Sequence, residues 1–457
     1  MTDTTVPSHG ARTFFGQPRG LAYLAFTEAW ERFSFYGMTA LLVLYMTQQL
    51  LLPGHVENIV GFTAFRATLE SAFGPMTTIG LASQINGLYV GFVYLTPVLG
   101  GIIADRWLGK RNAVAIGAVL MSSGHIAMAF DQSFLLALAL LVTGSGLLKG
   151  NISAQVGALY AEGDAAGRTR GFAIFSVAIN VGALAGPVLC GLLAQIYGWH
   201  VGFGLAGAMM LIGLASYLIG YRTLAEDADS TNASAAPQAT AAKLTSAQKR
   251  AFAALFIVMA LSIFQSVAYY QSSNIGLVWI DAHADRSLFG FDIPVAWFYA
   301  LDGLACIVFV PVLFALWRWQ QSHGGEPGAV MKMATGAWIG AASALVIVFA
   351  AMLAERPSGL FPALSTILFG IAFLYQWPTL LALVSLSSPP KLRSTMMGIV
   401  FLTVFIAAMI VGRLGALYEP LGPAAFFALH AAISAVGAAL TTFLARPLEH
   451  ALTGAQS

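Results

Sequence analysis

The chain of 457 residues is 58% hydrophobic and 9% charged, with a formal net charge of +2. A soluble domain carries about 25% charged residues, so this composition excludes an ordinary soluble protein and indicates an integral membrane protein. The small net charge gives no reason to expect a nucleic-acid partner. No nucleophile–base pair, metal-ligand spacing or phosphate-binding glycine loop stands out, so we expect neither an enzyme nor a bound cofactor.

Twelve apolar segments are long enough to cross a bilayer as helices, which takes about 20 residues each. The predicted spans are 21–50, 81–104, 111–130, 133–158, 169–195, 200–221, 249–277, 294–319, 331–354, 360–387, 393–417 and 422–445. Most basic residues between the spans fall on one side: Arg12, Arg19, Arg106, Lys110, Arg111, Arg168, Arg170, Arg222, Lys243, Lys249, Arg250, Arg318, Lys332, Lys391, Arg393 and Arg446. Because lysine and arginine concentrate in cytoplasmic loops, we expect both termini in the cytoplasm of a bacterial-type inner membrane.

Residues 223–247 are rich in Ala, Ser, Thr, Asp and Asn and predict a flexible cytoplasmic linker. The linker would separate an N-terminal six-helix bundle, residues 1–222, from a C-terminal six-helix bundle, residues 248–457. We therefore expect an all-α membrane protein of the major facilitator fold, with 12 transmembrane helices. In that fold the substrate binds between the halves near the midplane, and the halves rock to expose it to alternate sides.

The first span carries three charged residues, Glu28, Glu31 and Arg32. Each charge at the centre of a spanning helix costs about 2.5–3.5 kcal/mol even on mild scales, so such groups face protein or water and usually serve function. Helical spacing of three and four residues places them on one face with Tyr36. A purely structural Glu28–Arg32 pair is the alternative, but it leaves Glu31 as a surplus carboxylate.

The loop after the second span, residues 100–111, has the sequence GGIIADRWLGKR. Its glycines allow close helix packing. Asp105 followed by Arg106 predicts a cytoplasmic charge network that holds one state of the rocking cycle. The alternative is a basic loop that only sets topology.

Two cysteines and two histidines also lie within the predicted spans, at Cys190, Cys306, His125 and His430. We expect the cysteines to be small core residues without a disulfide. We expect each histidine to be a hydrogen-bonded core residue rather than a proton site.

Several motifs together resemble one family. The segment 28–37, EAWERFSFYG, resembles the ExxERFxYY signature of the proton-dependent oligopeptide transporter family, within the major facilitator superfamily. Residues 146–151, GLLKGN, are similar to its fourth-helix lysine motif, and residues 175–182, FSVAINVG, to its fifth-helix FYxxINxG motif. The resemblance is specific in the N-terminal half and weak in the C-terminal half. It implies proton-driven import of di- and tripeptides.

The resemblance also implies which residues act. Glu28, Glu31, Arg32 and Lys149 would form the proton-coupling cluster, with Lys149 also in the substrate site. The other substrate-binding residues that we predict are Tyr36, Tyr89, Asn180, Asn274, Trp297 and Asp302. A lysine that only snorkels to the interface is the alternative for Lys149, although its depth in an uncharged span argues against this.

The sequence departs from the family at positions that usually carry charge. Thr39 stands where the family usually has an arginine, and Tyr270 where it has an acidic residue. Phe373 replaces the glutamate of the tenth span. Asp302 is the one acidic residue predicted inside a C-terminal span, and we hypothesise that it binds the substrate amine or pairs with Lys149. A protonated or solvated aspartate is the alternative.

The favoured prediction is a proton-coupled symporter that imports di- and tripeptides by alternating access and functions as a monomer. Because the C-terminal half lacks charged residues that the family usually has, two alternative functions stay open. One is a proton-coupled transporter of another small zwitterion or anion, because fold does not fix substrate. The other is a non-transporting, receptor-like relative, which the retained intramembrane charges argue against.

Overall fold

The computed structural model describes residues 13–14, 16–161, 164–224, 245–388 and 392–453. The described chain is almost entirely helical. Its α-helices are α1 Arg19–Tyr45, α2 Phe62–Phe73, α3 Thr78–Ile103, α4 Lys110–Ala127, α5 Phe134–Ala158, α6 Ala165–Tyr197, α7 Trp199–Gly220, α8 Ser246–Ser272, α9 Ile275–His283, α10 Val295–Ser322, α11 Ala329–Leu353, α12 Leu360–Ser387, α13 Arg393–Leu414, α14 Tyr418–Leu421 and α15 Pro423–Thr453. Two short antiparallel hairpins pair β1 Thr13–Phe14 with β2 Gln17–Pro18, and β3 Ser287–Leu288 with β4 Phe291–Asp292.

Within the described residues, 10 helices are long and apolar enough to cross a membrane. They correspond to α3, α5 to α8, α10 to α13 and α15, so a multi-pass membrane protein is confirmed. The two other predicted spans coincide with α1 and α4, which fall outside this set. Both helices contain charged residues, which lower their mean hydropathy. The span count of 12 therefore stays a prediction.

Several short elements were not predicted, among them two helices and a hairpin. The helix α2 has 12 residues, most of them exposed, and lies in the long loop after the first span. The helix α9 follows α8 after a break at Asn274. The hairpin β3–β4 precedes α10. None of these elements is an apolar run of spanning length, and a search for spans therefore passes over them.

Most of the predicted linker 223–247 lies outside the described residues, as do Arg12, Lys243 and Lys391 of the predicted basic side. At its borders, Tyr221–Thr223 form a 3₁₀ turn and Ser246 begins α8. The start of α8 is fixed by a capping box, in which Thr245 and Gln248 exchange side-chain and backbone hydrogen bonds. We refer to residues 13–224 as the N-terminal part and to residues 245–453 as the C-terminal part.

The bundle has two ends. The terminal end holds the start of α1 and the end of α15, and the distal end holds the end of α1 and the start of α3. The two parts meet along α3 and α13 and along α6 and α10. The helices α3 and α13 approach closely at Gly87, where an added Cβ would lie 2.6 Å from the Ala408 carbonyl oxygen.

Several hydrogen bonds join the two parts in the distal half of the described chain. Ser83 of α3 donates to the Gly412 carbonyl and accepts from the Asn274 amide, at 3.2 and 2.7 Å. The remaining bonds join Gln48 to Asp281, Trp297 to Val188 and Gln195 to Asp292. On the terminal side, Ile174 and Val177 of α6 and Leu304 and Ile307 of α10 are exposed. The hydrogen bonds described above therefore close the distal side.

Candidate functional site

The charged cluster on α1 is buried and internally paired. Arg32 Nε lies 3.0 Å from Glu28 Oε1 and also forms an ion pair with Glu31. Glu31 is fully buried, and Glu28 and Arg32 are 4% and 8% exposed. Glu28 Oε2 and Glu31 Oε1 have no hydrogen-bond partner among the described residues. One arginine thus holds two carboxylates, each of which keeps an open acceptor oxygen.

Lys149 of α5 is placed beside this cluster by aromatic rings. Its Nζ lies 4.1 Å from the ring centroid of Phe35 and 5.3 Å from that of Tyr94. It is attracted to Glu31 and Glu28 and repelled by Arg32. No ion pair of Lys149 with Asp302 is present in the described chain. The lysine therefore belongs to the α1 cluster, and its ammonium group rests on ring faces, which attract cations.

A cavity lies where the two parts meet. The N-terminal part contributes Phe35, Tyr36, Thr39, Val90 and Tyr94, and the C-terminal part contributes Tyr269, Tyr270, Ser272, Ser273, Tyr299, Asp302 and Phe373. Across the cavity, the rings of Tyr36 and Tyr299 are 6.3 Å apart. The cavity thus has a cationic group, Lys149, behind one wall and an acidic group in the other.

Asp302 is the acidic group of the C-terminal wall. Its Oδ2 accepts a hydrogen bond of 2.7 Å from the Tyr269 hydroxyl, and its buried Oδ1 has no partner among the described residues. Phe373 stacks on Tyr269 with ring centroids 5.3 Å apart and on Trp377 at 6.4 Å. The wall therefore presents one carboxylate oxygen that is free to accept from a ligand, surrounded by aromatic rings.

Five of the predicted substrate-binding residues do not line this cavity: Lys149, which lies behind its wall, and four others. Tyr89 is buried behind it and stacks on Phe35. Asn180 donates to the Ser176 carbonyl of its own helix. Asn274 and Trp297 make the distal hydrogen bonds between the two parts described above.

Asp105 and Arg106 lie at the terminal end in a π-helical turn, Ala104–Leu108. Both side chains are exposed, and Asp105 Oδ1 is 4.0 Å from Lys110 Nζ.

Most of the cavity residues were not predicted to bind substrate, among them Tyr94, Tyr299 and Phe35. A sequence signal exists for Tyr94, because Val90 and Tyr94 are four residues apart and therefore share one face of the predicted second span. No local pattern identifies Tyr299, whose position opposite Tyr36 depends on how the two parts pack.

Comparisons with known proteins agree with this geometry. A model described as the POT family matches residues 111–236 and 226–420. A peptide transporter of Yersinia enterocolitica is 28% identical over 91% of this chain and 90% of its own length. A di-/tripeptide transporter of Lactococcus lactis is 27% identical over 96% of this chain and 97% of its own. The crystal structure of a peptide transporter POT in complex with sulfate superposes with a TM-score of 0.83 at 26% identity, covering 96% of this chain and 97% of that one. A POT family transporter in complex with 5-aminolevulinic acid gives 0.80 at 25%, covering 96% of this chain and 98% of the other.

Proposed function

Because the chain belongs to the POT family, we propose that it is a proton-coupled symporter that imports di- and tripeptides across the bacterial inner membrane. The observation that carries this proposal is the central cavity, which has Lys149 and Arg32 on one side and the free oxygen of Asp302 on the other. A short peptide is a zwitterion with a carboxylate at one end and an ammonium group at the other. The site offers complementary charge to both ends.

We also propose 12 transmembrane helices in two six-helix bundles, with both termini in the cytoplasm. The ten apolar helices, the positions of α1 and α4 and the basic residues at the terminal end support this arrangement. The distal end would then face the periplasm. The described conformation, closed at the distal end, would be the one that exposes the cavity to the cytoplasm.

Coupling would arise from competition for the cations of the α1 cluster. A substrate carboxylate that binds Arg32 or Lys149 leaves Glu28 and Glu31 with less positive charge nearby, which favours their protonated form. A proton moving down a potential of 100 mV supplies about 2.3 kcal/mol. The cluster can therefore link proton binding to substrate binding without a nucleotide or other cofactor, and we propose a non-enzymatic, monomeric transporter with protons as the coupling ion.

The test uses purified protein in liposomes and two assays, counterflow of a labelled dipeptide and uptake driven by a pH gradient. Glu31→Gln is expected to abolish gradient-driven uptake while counterflow persists. Asp302→Asn is expected to weaken both, because it removes the carboxylate from the C-terminal wall. Glu419→Gln, at an exposed acidic position of α14, is the matched control and is expected to behave as the native protein. Equal loss of both activities in Glu31→Gln would refute the coupling role.

A second candidate substrate class is a small zwitterion other than a peptide. The aromatic C-terminal wall, with Phe373 at the position of the family glutamate, favours it, as does the solved relative that binds 5-aminolevulinic acid. Counterflow with that compound in place of the dipeptide separates the two candidates. Binding of either compound without counterflow would instead indicate a receptor-like protein.

A further inference from the structure

A second cavity, with room for only a few water molecules, lies inside the C-terminal part, between α8, α9, α11, α12 and α15. Its walls are mainly apolar, but the polar side chains that line it include Gln271 of α8, Trp279 of α9 and His430 of α15. Each of the three is only 1% exposed. The cavity is separate from the α1 cluster and from the central cavity.

The three side chains leave four buried polar atoms without a hydrogen-bond partner in the described chain. They are both amide atoms of Gln271, the indole nitrogen Nε1 of Trp279 and the imidazole nitrogen Nε2 of His430. Buried polar groups in proteins are almost always bonded, and those without a protein partner are usually satisfied by ordered water. Four such atoms around one cavity therefore indicate a bound polar ligand.

The donor and acceptor pattern identifies the class of ligand. His430 Nδ1 lies 2.8 Å from the Phe426 carbonyl oxygen, and this contact fixes Nδ1 as the donor of the neutral ring. Its Nε2 is then an acceptor, whereas the Trp279 nitrogen can only donate and the Gln271 amide can do both. Water matches this pattern because it donates and accepts at once. No charged side chain lines the cavity, which argues against an ion.

The cavity adjoins the central cavity across one helix. Ser272 of α8 lines both, and on the same helix Tyr269 reaches from Asp302 to Phe369, which also lines the second cavity. Among the residues described around the second cavity, His430 is the only titratable side chain. His283 is separated from it by the Trp279 ring, and Tyr418 by the Phe426 ring.

We propose that ordered water fills this cavity and bridges Gln271, Trp279 and His430, and that His430 Nε2 is a second proton-binding site of the transporter. This inference rests on the proposed proton-coupled function. It would give the C-terminal part a protonatable group where Tyr270 and Phe373 replace the acidic residues of the family. A proton from the solvent, relayed by this water, would bind Nε2 without a fixed ion pair.

The first test measures the protonation state of His430 directly. Ring ¹⁵N spectra of the native protein in lipid are expected to show His430 as the Nδ1–H tautomer at high pH, with Nε2 becoming protonated as the pH falls. His125 provides an internal reference, because it is equally buried on α4 but lines no cavity among those described. A His430 Nε2 signal that does not change between about pH 8 and 5, the range of ordinary histidine titration, would overturn the proposal.

The second test measures whether proton binding at His430 is coupled to substrate transport. If His430 carries one of the transported protons, His430→Gln lowers the stoichiometry by one and reduces steady-state accumulation about tenfold for each unit of pH gradient. Dipeptide counterflow should stay unchanged, and His125→Gln should accumulate as the native protein does. Unchanged accumulation in His430→Gln would overturn the coupling role. A native protein that transports no peptide would refute the proposed function instead, and the ¹⁵N titration would still decide whether His430 binds a proton.

Discussion

The close approach of α3 and α13 makes Gly87 the most sensitive position for testing alternating access. In Gly87→Ala, the new Cβ would lie 2.6 Å from the Ala408 carbonyl oxygen and 2.7 Å from the Gly412 Cα. Both neighbours are backbone atoms, which cannot rotate away. Overpacking of this kind costs about 1–3 kcal/mol, and the cost arises only while the distal side is closed.

The substitution should therefore shift the ratio of closed to open distal ends by about 5- to 150-fold towards the open form. Spin labels at the exposed Ser71 and Ser358, one in each part, would report this shift as longer distances in the population measured by electron paramagnetic resonance. Counterflow should slow for the same reason, because the cycle requires the distal side to close.

The matched control is Gly204→Ala on α7, where an added Cβ meets no atom within 4 Å. It should leave the distance distribution and counterflow unchanged. If Gly87→Ala also leaves the distances unchanged, then the distal contact is not the one that limits opening, and the reasoning fails.

Three further predictions concern single contacts. Asp281→Ala removes the 2.5 Å hydrogen bond that Gln48 Nε2 donates to this side chain. A partly exposed hydrogen bond to a charged group contributes about 1.5 kcal/mol or less, so the ratio of closed to open distal ends should fall by up to about tenfold. Unchanged distances between the spin labels would contradict this. Phe35→Leu keeps an apolar side chain but removes the ring under Lys149, so substrate affinity measured by calorimetry should fall by about two- to fivefold, given about 0.5–1 kcal/mol for such a contact. On α2, a hydrogen bond from Arg66 lowers the pKa of Glu70. This hydrogen bond therefore stabilises α2 above the ordinary glutamate pKa of about 4.3, and the stabilisation is lost as the pH falls below that value. Hydrogen exchange of α2 should consequently be faster at about pH 3 than at pH 7, beyond the intrinsic pH effect, in the native protein but not in Glu70→Gln.

The helical architecture was predictable because spanning helices need long apolar runs, and these dominate the sequence. The elements that were missed are short or amphipathic. In α2, only Phe62 and Leu69 are buried, so no run of spanning length marks the helix. The closure of the distal side was not predictable either. It depends on Gly87 meeting Gly412, and the two residues lie in different parts of the chain.

The candidate site also contains some contacts that the sequence predicts and others that it does not. The contact of Arg32 with Glu28 follows from i,i+4 spacing on α1 and is visible in the sequence, whereas its contact with the adjacent Glu31 does not follow from that spacing. The bond between Tyr269 and Asp302 joins α8 to α10, and no local pattern predicts it. His430 was expected to be a satisfied core residue. Only the three-dimensional structure reveals that one ring nitrogen is bonded while the other faces a cavity.

The arrangement of charge in the central cavity has a consequence for selectivity. Lys149 is held by ring faces rather than by a carboxylate across the cavity, so no ion pair between the parts has to break before a substrate enters. Asp302 is the only carboxylate among the residues that line the cavity, and aromatic rings surround it. An apolar surrounding strengthens each remaining electrostatic contact. Recognition should therefore depend on the separation between the two charged ends of the substrate more than on its side chains, because only the ends meet charged groups of the protein.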